Sequence, residues 1–177
     1  DAPTRSSVRR YLAEFLHDYR VVDLSRWLWC VLLHFIILPI RCGRVAENYA
    51  KIWLPAGSPL RVYSQGLAEK LQHQMPHREV RLAMRYGNPS IASVLADYPD
   101  LQELTVLPLY PQYSATTTAS VFDGITRYYL KAERVPSLQF ISAYYRHPAW
   151  LDAMEARIRN HWDLHGRGQR LIFSFHG

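Results

Sequence analysis

Cysteine is scarce in this chain of 177 residues: Cys30 and Cys42 are the only two, and they form no CxxC pair. A disulfide framework is excluded, and the spacing suggests no zinc site. A reducing, cytoplasmic setting fits such usage. Blocks of like charge are also missing. Lys and Arg number 21 against 15 Asp and Glu, a net +6 spread along the chain. That balance suits nucleic acid, an anionic membrane surface or an acidic small molecule, and by itself selects none of them. No RNP-like or helix-turn-helix signature is present, which argues against nucleic acid. Low-complexity linkers and internal repeats are absent too. The longest apolar run, Trp27 to Ile40, is internal and therefore no signal peptide. It is also shorter than the roughly 20 residues that span a bilayer, but it can touch a membrane.

What is present is a globular composition, 49% hydrophobic and 20% charged, sufficient for one compact domain or one lobe of a larger protein. The chain starts at Asp1 without methionine and stops at Gly177, straight after the apolar run Leu171 to Phe175. A fragment cut at both ends is the expectation. Val8, Tyr11, Leu12, Phe15 and Leu16 recur at helical spacing behind Thr4, Ser6 and Ser7, any of which can cap. A second helix covers the apolar run. Ser58 and Pro59 then open a helix whose inner face includes Val62, Leu67 and Leu71.

Beyond this the pattern alternates. Val80 to Tyr86, Glu103 to Leu109, Leu138 to Ala143 and Leu171 to Phe175 read as strands. Helices are expected from Asn88-Pro89, over Thr116 to Lys131, and from Pro148 with Trp150, Leu151, Met154 and Ile158. Short buried strands separated by helices imply right-handed crossovers and an α/β fold with a doubly wound parallel sheet.

Ligands of such sheets bind beyond the carboxyl ends of the strands. There the chain places Arg85-Tyr86, Tyr110 to Ser114, Tyr144 to His147, and His176-Gly177. Tyrosines beside arginines suit a flat aromatic ligand carrying acid groups, because rings supply apolar area and guanidinium pairs with carboxylate bidentately. Each tyrosine taken singly also serves as half-buried packing. His176 is the sharpest candidate, an imidazole leaving a strand before a glycine, where it can accept a proton or bind a metal near neutral pH. His17, His34, His73, His77, His161 and His165 read as solvated or packing residues. Ser114 to Ser120 offers hydroxyls and amides to an anion at a helix start, or simply caps that helix.

The segments VLPLYPQYSATTTASVFD at 106 to 123 and LIFSFHG at 171 to 177 resemble the ferrochelatase family, which inserts ferrous iron into a porphyrin. ENYAKIWLPAGSPL at 47 to 60, MRYGNPS at 84 to 90 and VVDLSRWLW at 21 to 29 extend the resemblance in order along the chain. It implies a chelatase-like fold of two similar Rossmann-like lobes with the porphyrin between them. Residues 1–147 are then the first lobe, short of its opening strand, and 148–177 a connecting helix with the first strand of the second. The family's opening strand is expected before Asp1, and its second lobe, with a glutamate facing the histidine, after Gly177.

By the same resemblance His176 is the catalytic residue and metal ligand. Arg41, Tyr49 and Ser58 fall at porphyrin-contacting positions, and Arg85, Tyr86, Tyr110 and Tyr113 line the cleft or support it. The implied reaction is the last step of haem synthesis, a lyase with protoporphyrin and ferrous iron as substrates and no permanently bound cofactor. The alternative from another class is a non-catalytic tetrapyrrole-binding or peripheral membrane protein that uses Trp27 to Ile40. The apolar run gives the cytoplasmic protein a means of membrane association in either case.

Overall fold

The computed structural model describes residues 3–173. The chain divides into two compact units, one of residues 1–100 with 124–134 and another of 101–123 with 135–177.

The first unit opens on helix α1, Arg5–Leu16, where Thr4 accepts the Ser7 backbone N–H at 3.2 Å and buries Val8 and Leu12 on one face. Thr4 is thus the cap among the three hydroxyl residues that precede the apolar pattern. After a loop, α2 (Arg26–Leu32), a π turn (Leu33–Ile37) and α3 (Leu38–Ile52) follow without a break. The π turn has a local cause. Pro39 has no N–H for the Phe35 carbonyl and its ring crowds that carbonyl, so the helix widens just upstream.

This continuous helix of 27 residues, Arg26–Ile52, nearly doubles the expected length of the apolar segment and corrects its reading as too short for a bilayer. By length and composition alone it can cross one. Its inner face nevertheless builds a protein core: Trp29, Leu33, Leu38, Cys42 and Ala46 close over Val8 and Leu12 of α1. Trp27, Leu28, Val31, Phe35, Ile36 and Ile40 stay exposed.

Helix α4, Pro59–Gln74, begins as expected, with Ser58 accepting the Arg61 N–H at 3.3 Å. Of its expected inner face Val62 and Leu71 are half-buried and Leu67 is exposed. Residues 80–84 alternate between half-buried and exposed, as a strand would, but form no ladder; Met84 makes only an isolated bridge to Ser90. Period-two burial arises from an extended chain alone, whereas a strand also needs a hydrogen-bonded neighbour. Helix α5, Ile91–Ala96, is capped by Ser90 rather than opened by Asn88-Pro89. Gly124 permits a close approach, since a Cβ there would lie 3.0 Å from Ile91 Cδ1.

In the second unit β1 (Glu103–Val106) pairs in parallel with β2 (Ser137–Phe140), Glu103 opposite Ser137 and Val106 opposite Phe140. The crossover between them contains the turn Ala115–Ala119 and α6, Ser120–Tyr129, within the predicted helix. Phe122 packs edge-on to Phe140 at 5.3 Å. The amides of Tyr144 and Tyr145 both donate to the Pro111 carbonyl, at 2.9 and 3.0 Å, so the loops that leave the two strands are tied at one end of the ladder. Helix α7, Pro148–His165, occurs where expected, but none of its residues is fully buried.

The architecture is thus mixed helix and strand with a small parallel sheet. Four strands were expected, and two form a ladder among the described residues. Leu171 to Phe173 lie outside any strand, and the rest of that predicted strand, with His176, lies outside the described residues.

Candidate functional site

The densest polar constellation in the first unit forms where α1 ends. His17 is the C-cap of α1, and the chain then turns so that the Asp18 carboxylate points inward, its side chain only 4% exposed. Among the groups that hold it, the Arg20 amide donates to Oδ1 at 2.8 Å, the Tyr86 hydroxyl donates to Oδ2 at 2.8 Å, and the Arg85 guanidinium forms an ion pair with Oδ2. A buried carboxylate is tolerated only when paired and hydrogen-bonded in this way.

Arg85 also lies over the Tyr86 ring, 4.6 Å from its centroid, and Tyr86 meets Phe15 edge-on at 5.3 Å. Next to it the Gly87 amide donates to Glu14 Oε2 at 2.8 Å. The segment Arg85 to Gly87 is thereby clamped onto the last turn of α1. A recess of about 300 Å³ opens over these groups, lined by Glu14, His17, Asp18, Arg85, Tyr86 and Arg127. Its walls are charged and hydrogen-bonding, suited to hold an acidic group or exchange a proton rather than to enclose an apolar body.

Beside the recess the His17 and His34 rings meet, Nε2 to Nε2 at 3.0 Å. Burial lowers the His17 pKa from its ordinary value, and the neighbouring His34 and Arg26 lower it further. The Cys30 thiol completes a trio whose ligand atoms all lie within 4.8 Å of one another.

The residues expected at the site distribute as follows. Arg85 and Tyr86 come together at Asp18. Arg41 and Tyr49 share α3 two turns apart, Arg41 exposed and Tyr49 half-buried against the core. Ser58 caps α4, the role that needs no ligand. Tyr110 and Tyr113 belong to the second unit and are exposed at 41% and 58%, on the loop that Pro111 ties to Tyr144 and Tyr145. Ser114 accepts the Thr116 N–H at 3.3 Å, again a capping contact, while Thr118 Oγ1 is buried without a hydrogen-bond partner.

Sequence reasoning missed Asp18, Glu14 and Arg127, because nothing in the pattern marks an aspartate after a helix as buried. It also missed the spacing Cys30-x-x-x-His34, which puts both side chains on one helix face. His161 and His165 have that spacing too, with ring centroids 4.6 Å apart on α7.

A family model described as Ferrochelatase matches residues 1–177. Curated relatives share the match over the whole chain. A protein named ferrochelatase from Vibrio atlanticus (strain LGP32) is 50% identical over 179 residues, and one from Vibrio parahaemolyticus serotype O3:K6 is 49% identical over 183. One from Xylella fastidiosa (strain M12) is 48% identical over 181. The chain spans 56% of the length of each of these relatives.

Proposed function

Because the chain belongs to the ferrochelatase family, we propose that it forms the porphyrin-handling part of an enzyme that inserts ferrous iron into protoporphyrin in haem synthesis, a lyase reaction. The observation that carries the reading is the family match over every residue of the chain, joined by relatives near 50% identity that bear that name. The two-stranded parallel ladder is consistent with a doubly wound, chelatase-like sheet, in which residues 1–147 are one Rossmann-like lobe and 148–177 lead into another.

Insertion of a divalent ion requires two pyrrole N–H protons to leave and the macrocycle to buckle toward the metal. On our reading His176 is the catalytic residue: its imidazole takes pyrrole protons and guides the ferrous substrate, which suits nitrogen donors. Strain of about 1–5 kcal/mol in the macrocycle is offset by binding its periphery. Arg41, Tyr49 and Ser58 contact that periphery, and Tyr110 and Tyr113 supply aromatic surface. Arg85 and Tyr86 support the wall, their polar atoms being engaged by Asp18. No resident cofactor is needed, since iron enters as substrate.

The exposed face of Arg26–Ile52 supports a further element of the reading. Trp27, Phe35 and Ile40 are each more than 70% exposed, and the helix surface between them is apolar. A cytoplasmic enzyme with such a lip takes up a poorly soluble porphyrin at a membrane surface. The test of the reaction is His176→Ala in the full-length protein, assayed for iron or zinc insertion and separately for porphyrin binding. Insertion is expected to be abolished with binding retained; retained insertion overturns the role of His176.

A further inference from the structure

We propose that His17, Cys30 and His34 form a binding site for a divalent transition-metal ion of the zinc class, separate from the histidine assigned to insertion. Two structural elements converge to make it. Cys30 and His34 stand four residues apart on consecutive turns of the helix Arg26–Ile52, so both side chains rise from one face. His17 comes from the end of α1, and its position over that face is fixed on both sides. The Trp29 indole N–H donates to the Leu16 carbonyl at 2.7 Å, and the Arg26 guanidinium donates to the His17 carbonyl.

The donor atoms are close to the distances a metal asks for. In a tetrahedral zinc site, bonds of about 2.1 Å to nitrogen place two nitrogens about 3.4 Å apart. His17 Nε2 and His34 Nε2 are 3.0 Å apart, and the Cys30 sulfur is within 4.8 Å of both ligand nitrogens. Opening the imidazole pair by a few tenths of an ångström and turning the exposed Cys30 side chain inward completes three corners. In the metal-free pair one ring nitrogen must donate to the other, so only one has its lone pair facing the gap. A cation between them uses both lone pairs.

The chemistry of the set selects the ion. One thiolate with two imidazoles is a borderline-to-soft donor set that favours zinc, cobalt or copper and disfavours magnesium and calcium, which take oxygen. Three protein ligands leave a fourth position for water, the arrangement of open rather than closed zinc sites. His17 and His34 are half-buried and Cys30 is exposed, so the ion can exchange with solvent. The site also lies at the carboxyl end of α1, whose dipole favours a cation. Arg26 opposes the charge, and the Asp18 and Glu14 carboxylates of the adjacent recess act in the other direction.

The test uses full-length protein stripped with chelator and titrated with cobalt(II), then with zinc(II). One cobalt ion is expected to bind with a thiolate-to-cobalt charge-transfer band in the near ultraviolet and intense tetrahedral d–d bands, both removed by zinc. Cys30→Ser, at an exposed position that leaves the core intact, is expected to abolish the charge-transfer band. His17→Ala and His34→Ala each weaken binding roughly tenfold or more. His176→Ala keeps the band, which separates this site from the insertion reaction whatever the fate of that reading. A wild-type protein without the band, or a band that persists in Cys30→Ser, overturns the proposal. Cobalt held only with octahedral d–d bands, as by the exposed pair His161 and His165, overturns it equally.

Discussion

Asp18 and Arg85 stand 67 positions apart in the chain and meet in a buried ion pair, their side chains 4% and 15% exposed. The pair joins the end of α1 to a segment that has no ladder of its own, so the position of residues 84–87 depends on side chains rather than on a sheet. This places the stability of the recess largely in one carboxylate.

Arg85→Ala removes the guanidinium that pairs with the buried Asp18 carboxylate and leaves the Tyr86 hydroxyl and the Arg20 amide in place. A loss of about 3 kcal/mol in unfolding free energy is expected, the range for breaking a buried pair from one side. Arg134→Ala is the control, since Arg134 and Asp100 meet at 3.4 Å with side chains 73% and 81% exposed. Its change is expected to stay within about 1 kcal/mol. Urea denaturation of both variants checks this; equal effects would mean that the Asp18 pair is solvated in solution.

Much of the first unit was legible because its helices advertise both their starts and their faces. Thr4 and Ser58 cap where hydroxyls precede an apolar pattern, and Val8 and Leu12 are buried as their spacing requires. Legibility failed where structure depends on a distant partner. The alternation at 80–84 gave the right faces and the wrong element, because sequence does not show whether a neighbouring strand is there to bond. The apolar pattern of Trp27 to Ile40 stops at Ile40, yet Arg41 and Arg44, both exposed, continue the same helix. Asp18 was invisible for a similar reason: its burial depends on Arg85 and Tyr86, supplied from 67 and 68 positions away.

Among the phenols expected to titrate late, Tyr144 and Tyr129 owe the delay chiefly to burial. Burial raises the pKa of Tyr144, and burial followed by the neighbouring Tyr128 raises that of Tyr129. Each folded value lies above the unfolded value near 10. The unfolded state therefore ionises first as pH rises, and the stability these groups contribute is complete below about pH 10 and lost through the folded values above it. Ultraviolet titration of phenolate is expected to show most of the 12 tyrosines ionising together and a lagging fraction. Tyr144→Phe and Tyr129→Phe each remove part of the lag. A single sharp step in the wild type counts against both assignments.

Substitution can separate the capping role of Ser58, which the structure shows, from the porphyrin contact proposed for it. As the cap of α4 it is replaceable by Asn or Asp, which accept the same amide, while Ser58→Ala loses the contact to the Arg61 N–H and about 1 kcal/mol. As a porphyrin contact it is expected to respond differently, because a carboxylate at that position repels the ligand's acid groups. Ser58→Asp is thus expected to keep the thermal stability of the wild type and to weaken porphyrin binding in the full-length protein. If binding and stability instead follow each other across the Ala, Asn and Asp variants, Ser58 acts as a cap alone.

The exposed face of the long helix yields the last prediction. Leu32 and Ile36, 40% and 52% exposed, lie one turn apart on the surface that Trp27, Phe35 and Ile40 extend, opposite the packed residues Trp29, Leu33 and Leu38. Replacing both by Ser removes apolar area from the outward face and leaves the contacts with α1 untouched. If that face enters the headgroup region, each side chain contributes about 1 kcal/mol at partial burial, and the double variant binds liposomes roughly thirtyfold more weakly. Its melting temperature is expected to stay close to that of the wild type, because the core is unchanged. Flotation with anionic vesicles in low and high salt separates the apolar contribution from that of the net positive charge, since only the latter is screened. Flotation unaltered by the double substitution in both salts would assign membrane contact to the charge and leave the apolar face to a different partner.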